Sequence, residues 1–195
     1  EQFGELMDWA MIILNPLEPW PGRLCLKAAE NADINILTRV VDYGGIFHGT
    51  MKPDHKFRDG DHRTYRPSGW VEEGLSRVDK MRSIIDKYDL SELHFSCLWN
   101  LSHAPVRSVV PTFIQEAGDD AKPIEDLVRE YGSLPIESPF SQAEVDEIAA
   151  IGDNTGCMML KGASNRHAES LRPDEWPMRP ELMELADRHG LGSEW

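Results

Sequence analysis

The sequence predicts an α/β fold built on a parallel β-sheet, and three observations carry that prediction. Trp9 to Leu14 (WAMIIL) is a short continuous apolar run, and Ile34 to Val41 (INILTRVV) is a second run of the same kind. Such runs suit strands buried on both faces, as parallel strands are, rather than the strict alternation of a half-exposed strand. Between them Gly22 to Ala32 carries strong helix formers, so strand, helix and strand make one βαβ unit within about 35 residues. The third observation is a helical stripe: Val71, Leu75, Val78, Met81, Ile84, Ile85 and Tyr88 recur at helical spacing.

The remaining elements follow in chain order. Asn15-Pro16 punctuates the end of the first strand, and Pro21 is placed for the first turn of the helix after it. From His48 to Ser68 the chain is polar and carries Pro53, Gly60 and Pro67, which predicts a long loop, and long loops in compact domains tend to be functional. The striped helix begins at Trp70, and Ser91 caps a further helix with Leu93, Cys97, Leu98 and Leu101. Val106 to Val110 (VRSVV) reads as a third strand and stops at Pro111. Two more helices are predicted at Ile124 to Tyr131 and Ser141 to Ile151, the latter opening on the capping box Ser141-x-x-Glu144. A short helix is predicted near Pro180 to His189 in an otherwise irregular tail, and no internal repeat or low-complexity tract occurs.

With 195 residues, 41% of them apolar, the chain can build one ordinary core. A net charge of −14 argues against nucleic acid and anionic membrane surfaces as partners, since both would repel it. No apolar run reaches the roughly 18 residues a membrane helix needs. Cys25, Cys97 and Cys157 are odd in number, far apart and without a CxxC pair, which suits reduced thiols. The expectation is a soluble, acidic, cytoplasmic protein. Three parallel strands and about five helices cannot both cover a sheet and close it, and the chain opens on EQFGELMDWAMIIL almost directly into a strand. We therefore expect a chain that is incomplete alone, or that pairs with another copy or partner.

Candidate chemistry is sparse. His48, His55 and His62 fall at seven-residue spacing, but the segment has no helical pattern that would bring the imidazoles together, so the reading is a solvated loop in which Asp61-His62-Arg63 makes local ion pairs, and no metal site is assigned. No G-x-S-x-G elbow occurs, Cys97 reads as a core residue, and Trp70, Trp99 and Trp176 read as packing groups. The strand ends are more informative, because ligands of parallel sheets sit at the carboxyl ends of the strands. Those ends are Asn15-Pro16-Leu17-Glu18, Asp42-Tyr43-Gly44-Gly45 and Pro111-Thr112-Phe113-Ile114, and the glycine pair would let backbone approach a small molecule.

Several of these stretches together resemble the aldo-keto reductases, whose members are (β/α)8 barrels that bind a nicotinamide cofactor. WAMIILNPLE resembles their sixth strand, ILTRVVDYGGIFHGT the seventh with its glycine-bearing tail, and CLWNLSHAPVRSVVPTFIQE the helix and eighth strand, with Glu125-Asp126-Leu127 downstream. The tail GDNTGCMMLKGAS with PDEWP resembles a C-terminal extension of one bacterial branch. The resemblance implies an α/β fold that is the C-terminal portion, about strands 6–8, of a (β/α)8 TIM barrel. It divides the chain into a half-barrel, residues 1–151 with the long loop 48–68, and an extension, residues 152–195, packed on it. It further implies hydride transfer between NADP or NAD and a small carbonyl or alcohol substrate, with this chain supplying cofactor-binding strands. By carry-over, Val41, Asp42, Tyr43 and Gly45 would line the pyrophosphate region, Pro111, Thr112 and Phe113 would sit beside the adenosine phosphate, and Glu125 with Asp126 would reach the adenine. No catalytic residue is assigned, because the family's catalytic Asp, Tyr, Lys and His lie on the first four strands. The implied partner is that missing N-terminal half-barrel, in the same chain or as a separate subunit. The family's basic residue after the eighth strand is replaced by Ile114, with Arg107, Lys122 and Arg129 as the substitutes at hand, and its aromatic residue at the end of the sixth by Leu14. Both departures suit an alternative, a nucleotide-binding or regulatory barrel subunit without turnover.

Overall fold

Each apolar run becomes a strand of one sheet. A computed structural model describes residues 4–66, 68–114, 116, 121–155 and 180–188. Strands β1 (Trp9–Ile13), β2 (Asn35–Arg39) and β3 (Val106–Val110) lie parallel in the order β1-β2-β3, with Ile13 beside Arg39 and Arg39 beside Val110. The pairing of β2 with β3 shifts register between Ile36 and Leu37. A short 3-10 turn, Gly22–Cys25, leads into α1 (Leu26–Asn31), which returns the chain to β2 as the βαβ pattern requires. Glycine is needed at that entry, since a Cβ on Gly22 would lie 2.2 Å from the carbonyl oxygen of Ile13.

The helices cover one face of the sheet. Ile36, Thr38, Val106 and Val109 point into the core, at most 4% exposed. Against them pack α2 (Trp70–Lys87), through Val78, Met81 and Ile85, and α3 (Glu92–Leu101), which is buried along nearly its whole length. Ser91 caps α3 through the backbone N–H of His94, and the Ser141–Glu144 box opens α5 (Gln142–Ile151), both as predicted. Cys97 lies in this core, where burial pushes its thiol up to about 12, so it is inert packing rather than a nucleophile. Helices α4 (Ile124–Gly132) and α6 (Pro180–Arg188) complete the described elements.

The opposite face of the sheet departs from the prediction of strands buried on both sides. The alternation that turns Ile36 and Thr38 inward turns Trp9, Met11 and Val110 the other way, where they are 54%, 64% and 45% exposed. No described element covers that face. Apolar strand residues are the signature of a two-sided environment, but only one side is provided among the described residues.

Most of the expected extension 152–195, including Cys157, Trp176, the PDEWP motif and the GDNTGCMM motif beyond Thr155, lies outside the described residues. Its first residues are tightly held. Asn154 is fully buried and pairs with the backbone of Trp20 in both directions, donating to its carbonyl at 2.8 Å and accepting from its N–H at 2.9 Å. Arg77 of α2 donates to the carbonyls of Gly152 and Asp153, each at 3.0 Å, while its Nε holds Glu73 at 2.8 Å. Asn154→Ala would leave two buried backbone groups of Trp20 without these partners, and should lower stability by roughly 2–3 kcal/mol in urea denaturation; a loss below half of that would mean the segment is not a structural staple.

Candidate functional site

The chain turns sharply where β2 ends, and the turn is held in uncommon backbone geometry. Val40 and Tyr43 have φ of 59° and 49°, followed by Gly44 at 68° and Gly45 at 96°. A β-branched residue in the left-handed region is strained, on the order of 1–3 kcal/mol, and persists only when its surroundings over-determine it. Here they do. Asn15, at the end of β1, donates from Nδ2 to the Val40 carbonyl at 3.1 Å, and Ser96 of α3 donates to the Val41 carbonyl at 2.5 Å. Asp42 accepts the N–H of Thr112 on Oδ1 at 2.9 Å, joining the end of β2 to the segment after β3. Its Oδ2 lies 3.4 Å from His48 Nε2, with both side chains at most 2% exposed. Burial pushes the His48 pKa down against the pull of Asp42, so the imidazole is neutral near pH 7.

The loop 48–68 folds back over this turn; most of its described residues are exposed, as expected of a solvated loop, but His48, Met51 and Arg63 are buried. Arg63 is 2% exposed. Its guanidinium donates from Nη1 to the Gly44 carbonyl at 3.0 Å and is shared by two carboxylates, Asp61 at 2.6 Å and Glu116 at 2.5 Å. The Asp61–Arg63 pair is the local one the sequence predicts. The partner that makes burial possible, Glu116, comes from beyond β3, because two carboxylates are needed to offset the cost of desolvating the cation. Arg63 holds the Asp61 carboxyl down at about 2, through its side-chain hydrogen bonds first. Aromatic rings fill the space between the loop and the start of α2. Phe57 stacks on Trp70 at 5.7 Å with 12° between planes, Tyr43 meets Trp70 edge-on at 5.9 Å, and Arg63 lies 4.4 Å from the centroid of Phe57.

Two adjoining cavities open along the carboxyl ends of the strands. One of about 530 Å³ is lined by Val40, Gly44, His62, Tyr65, Arg66 and Thr112 among others. The other, about 430 Å³, lies over the end of β1 against Ile13, Glu18 and Cys25, and Arg39 borders both. In the larger cavity the Arg66 guanidinium stacks on Trp70, 4.2 Å from its centroid, and faces Gly44 so closely that a Cβ there would lie 3.0 Å from its nitrogens. Burial lowers the Arg66 pKa despite the attraction of Tyr43 and Glu18, and Nη1 is buried without a hydrogen-bond partner.

The predicted site residues divide among these surroundings. Thr112 is exposed and lines the larger cavity, whereas Val41, Asp42 and Tyr43 are fully buried behind its wall and Gly45 and Pro111 are buried beside them. Phe113 is half-buried, edge-on to Tyr131 at 5.7 Å. Glu125 and Asp126 sit in the first turn of α4, with Asp126 paired to Arg129. Burial holds the Tyr43 phenol protonated, above its usual range, so it packs rather than exchanging protons. The three histidines meet different partners, His48 on Asp42, His55 near Glu116 at 3.6 Å and His62 near Asp61 at 3.8 Å, and no cluster able to hold a metal ion occurs among the described residues. Sequence reasoning missed Val40, Tyr65 and Arg66. The available signal was Arg63-Thr-Tyr-Arg66, two arginines and an aromatic within one turn of an otherwise acidic chain.

No protein-family model and no curated protein matches the chain. Solved structures do. The glycerol dehydrogenase AKR11B4 from Gluconobacter oxydans superposes with a TM-score of 0.60 at 19% identity, over 76% of this chain and 44% of that one. The aldo-keto reductase AKR11C1 from Bacillus halodurans, in its apo form, superposes with a TM-score of 0.51 at 11% identity, over 86% of this chain and 50% of that one. The likeness is one of fold: the parallel sheet and its helices match part of an aldo-keto reductase, and the chain spans about half the length of the structures it matches.

The Arg63 network generates two expectations. Arg63→Met strands two carboxylates and should cost about 3–5 kcal/mol, with protease cutting first within 48–68. Because the Asp61 pKa is depressed on folding, its contribution is complete above the ordinary carboxylate pKa and is lost as pH falls toward about 2. Trp70 fluorescence should therefore hold steady down to about pH 4 and change below it; an identical curve for Asp61→Asn would refute the role given to that carboxylate.

Proposed function

We propose that this chain supplies the cofactor-binding part of an NAD(P)-dependent oxidoreductase of aldo-keto reductase type, acting on a small carbonyl or alcohol. In this reading β1, β2 and β3 are the sixth, seventh and eighth strands of a (β/α)8 barrel. The observation that carries it is the paired cavity at the carboxyl ends of these strands, where that barrel places its ligands. Its volume suits a large part of a dinucleotide, the bare Cα of Gly44 admits close approach, and the unpartnered Arg66 Nη1 suits an anionic group. A nicotinamide cofactor bound there would supply the hydride exchanged with the substrate.

This chain's residues bind and orient. Thr112, Gly44 and Arg66 would touch the ligand, while Val41, Asp42, Tyr43, Gly45, Pro111 and Phe113 hold the wall in shape behind them. Glu125 and Asp126 remain candidates for the adenine end. The general acid would come from the rest of the barrel, in the same chain or as a separate subunit, whose strands and side chains would cover Trp9, Met11 and Val110. The free thiols of Cys25 and Cys97 suit a reducing compartment such as the cytoplasm. One observation favours the second reading, a nucleotide-binding subunit without turnover: Leu14, where an aromatic would be expected, is fully buried.

Titration of the full-length protein with NADPH and NADH by fluorescence, followed by aldehydes, separates the readings. Binding with cofactor oxidation supports the enzyme, retention without oxidation supports the subunit, and no binding of either dinucleotide removes both. Gly44→Val places a branched side chain at φ 68° against Arg66, and should weaken dinucleotide affinity by about tenfold; unchanged affinity would move the ligand away from this turn.

A further inference from the structure

We infer that His48 and Asp42 form an acid-sensitive latch: with the imidazole neutral, Asp42 keeps the end of β2 tied to Thr112 beyond β3, and a further proton on the ring loosens that tie. The latch is independent of what the larger cavity binds, and so stands apart from the proposed function.

His48 closes the short 3-10 turn Ile46–His48, all of it buried and bracketed by Gly45 and Gly49 at φ of 96° and 73°. The imidazole Nε2 lies 3.4 Å from Asp42 Oδ2. Both atoms are buried, and neither makes a hydrogen bond among the described residues. The other oxygen of Asp42 is the tie, since Oδ1 accepts the Thr112 N–H at 2.9 Å. One carboxylate thus holds a backbone donor on one side and faces an imidazole on the other.

The groups that bear on His48 come from several segments. Asp42 lies on the same turn, Glu116 beyond β3, Glu130 on α4 and Lys122 just before it, the last two paired with each other. From α3, Cys97 feels the Asp42 charge and Ser96 holds the Val41 carbonyl. Three carboxylates draw a proton onto the ring, and burial, the largest influence, opposes it. A buried imidazolium without a hydrogen-bonded acceptor is costly. The smallest movement that relieves it closes the 3.4 Å gap to Asp42. An imidazolium competes for the carboxylate more strongly than a neutral amide, because both partners are then charged. The carboxylate is drawn off the Thr112 N–H as a result. Thr112 also lines the larger cavity, so proton uptake at His48 reaches the cavity wall through one hydrogen bond.

Burial lowers the folded-state pKa of His48 below the ordinary histidine value of about 6.5, so the latch contributes fully above that pH. Its contribution is lost as pH falls through the folded value. Asp61, which Arg63 holds down at about 2, lasts to lower pH, so acid acts on Thr112 before it acts on the loop around Trp70.

Nuclear magnetic resonance of the full-length protein, labelled at threonine and histidine, reads the latch in wild type, His48→Gln and His55→Gln between about pH 7.5 and 4.5. In wild type, protection of the Thr112 amide against exchange, corrected for the intrinsic rate at each pH, should fall by about tenfold or more as His48 titrates below about 6.5. His48→Gln, neutral throughout, should give flat protection. His55→Gln should behave as wild type, because His55 faces Glu116 rather than Asp42. Protection that stays flat in wild type, that falls equally in His48→Gln, or that His55→Gln flattens as well, overturns the latch. So does a His48 ring that titrates above about 6.5. If His48→Gln does not fold, the wild-type spectra decide alone: one shared midpoint for the His48 ring and the Thr112 amide supports the latch, and any other pairing of the two curves overturns it.

Discussion

Arg63 links three segments that are far apart in the chain. Its guanidinium holds the Gly44 carbonyl of the turn after β2, the Asp61 carboxylate of its own loop and the Glu116 carboxylate from beyond β3. A cation that deep is tolerated because two carboxylates and a carbonyl replace its water, and with either partner missing the balance would reverse. Through it a polar loop of many charges becomes part of the wall. Phe57 and Met51 are then held over the core, and Trp70 gains stacking partners on the loop side. The strained turn at Val40 and Tyr43 survives for the same reason, clamped by Asn15, Ser96 and Arg63 from three directions.

With Arg63 neutralised, the contrast with Arg66, three residues on, becomes the electrostatic feature of the site. One guanidinium is complete and structural. The other is half-buried and stacked on Trp70, with its Nη1 buried and without a hydrogen-bond partner. The acid-rich composition sharpens the difference, because carboxylates are plentiful in the chain and yet none of the described residues lining the larger cavity is acidic.

The sheet imposes a second constraint. Its helix-covered face is packed with branched residues, while the other presents Trp9, Met11 and Val110 to solvent, and β1 and β3 are both edges. Parallel strands are stable when both faces are covered. The parallel sheet and its match to about half the length of two solved aldo-keto reductases fit a partial barrel.

What the sequence determined by itself was set by local chemistry. Every β-strand and α-helix of the described residues is legible in it, though not the short 3-10 turns at Ile46–His48 and His62–Tyr65, because apolar runs, 3.6-residue stripes, prolines and the caps at Ser91 and Ser141 act within a few residues. The strand ends were legible as the place for a ligand, since parallel strands leave nowhere else for one. Tertiary structure alone decided which residues of those ends line a cavity. Val41, Asp42 and Tyr43 are adjacent in sequence to Val40 and Gly44, yet left-handed backbone at Val40 and Tyr43 turns the first group inward and leaves the second on the cavity. Asp61 offers Arg63 a local carboxylate, but its second one comes from far along the chain. Glu116, 53 residues from Arg63, reaches that guanidinium and not Arg66, and the long-range pairing makes Arg63 a structural tie.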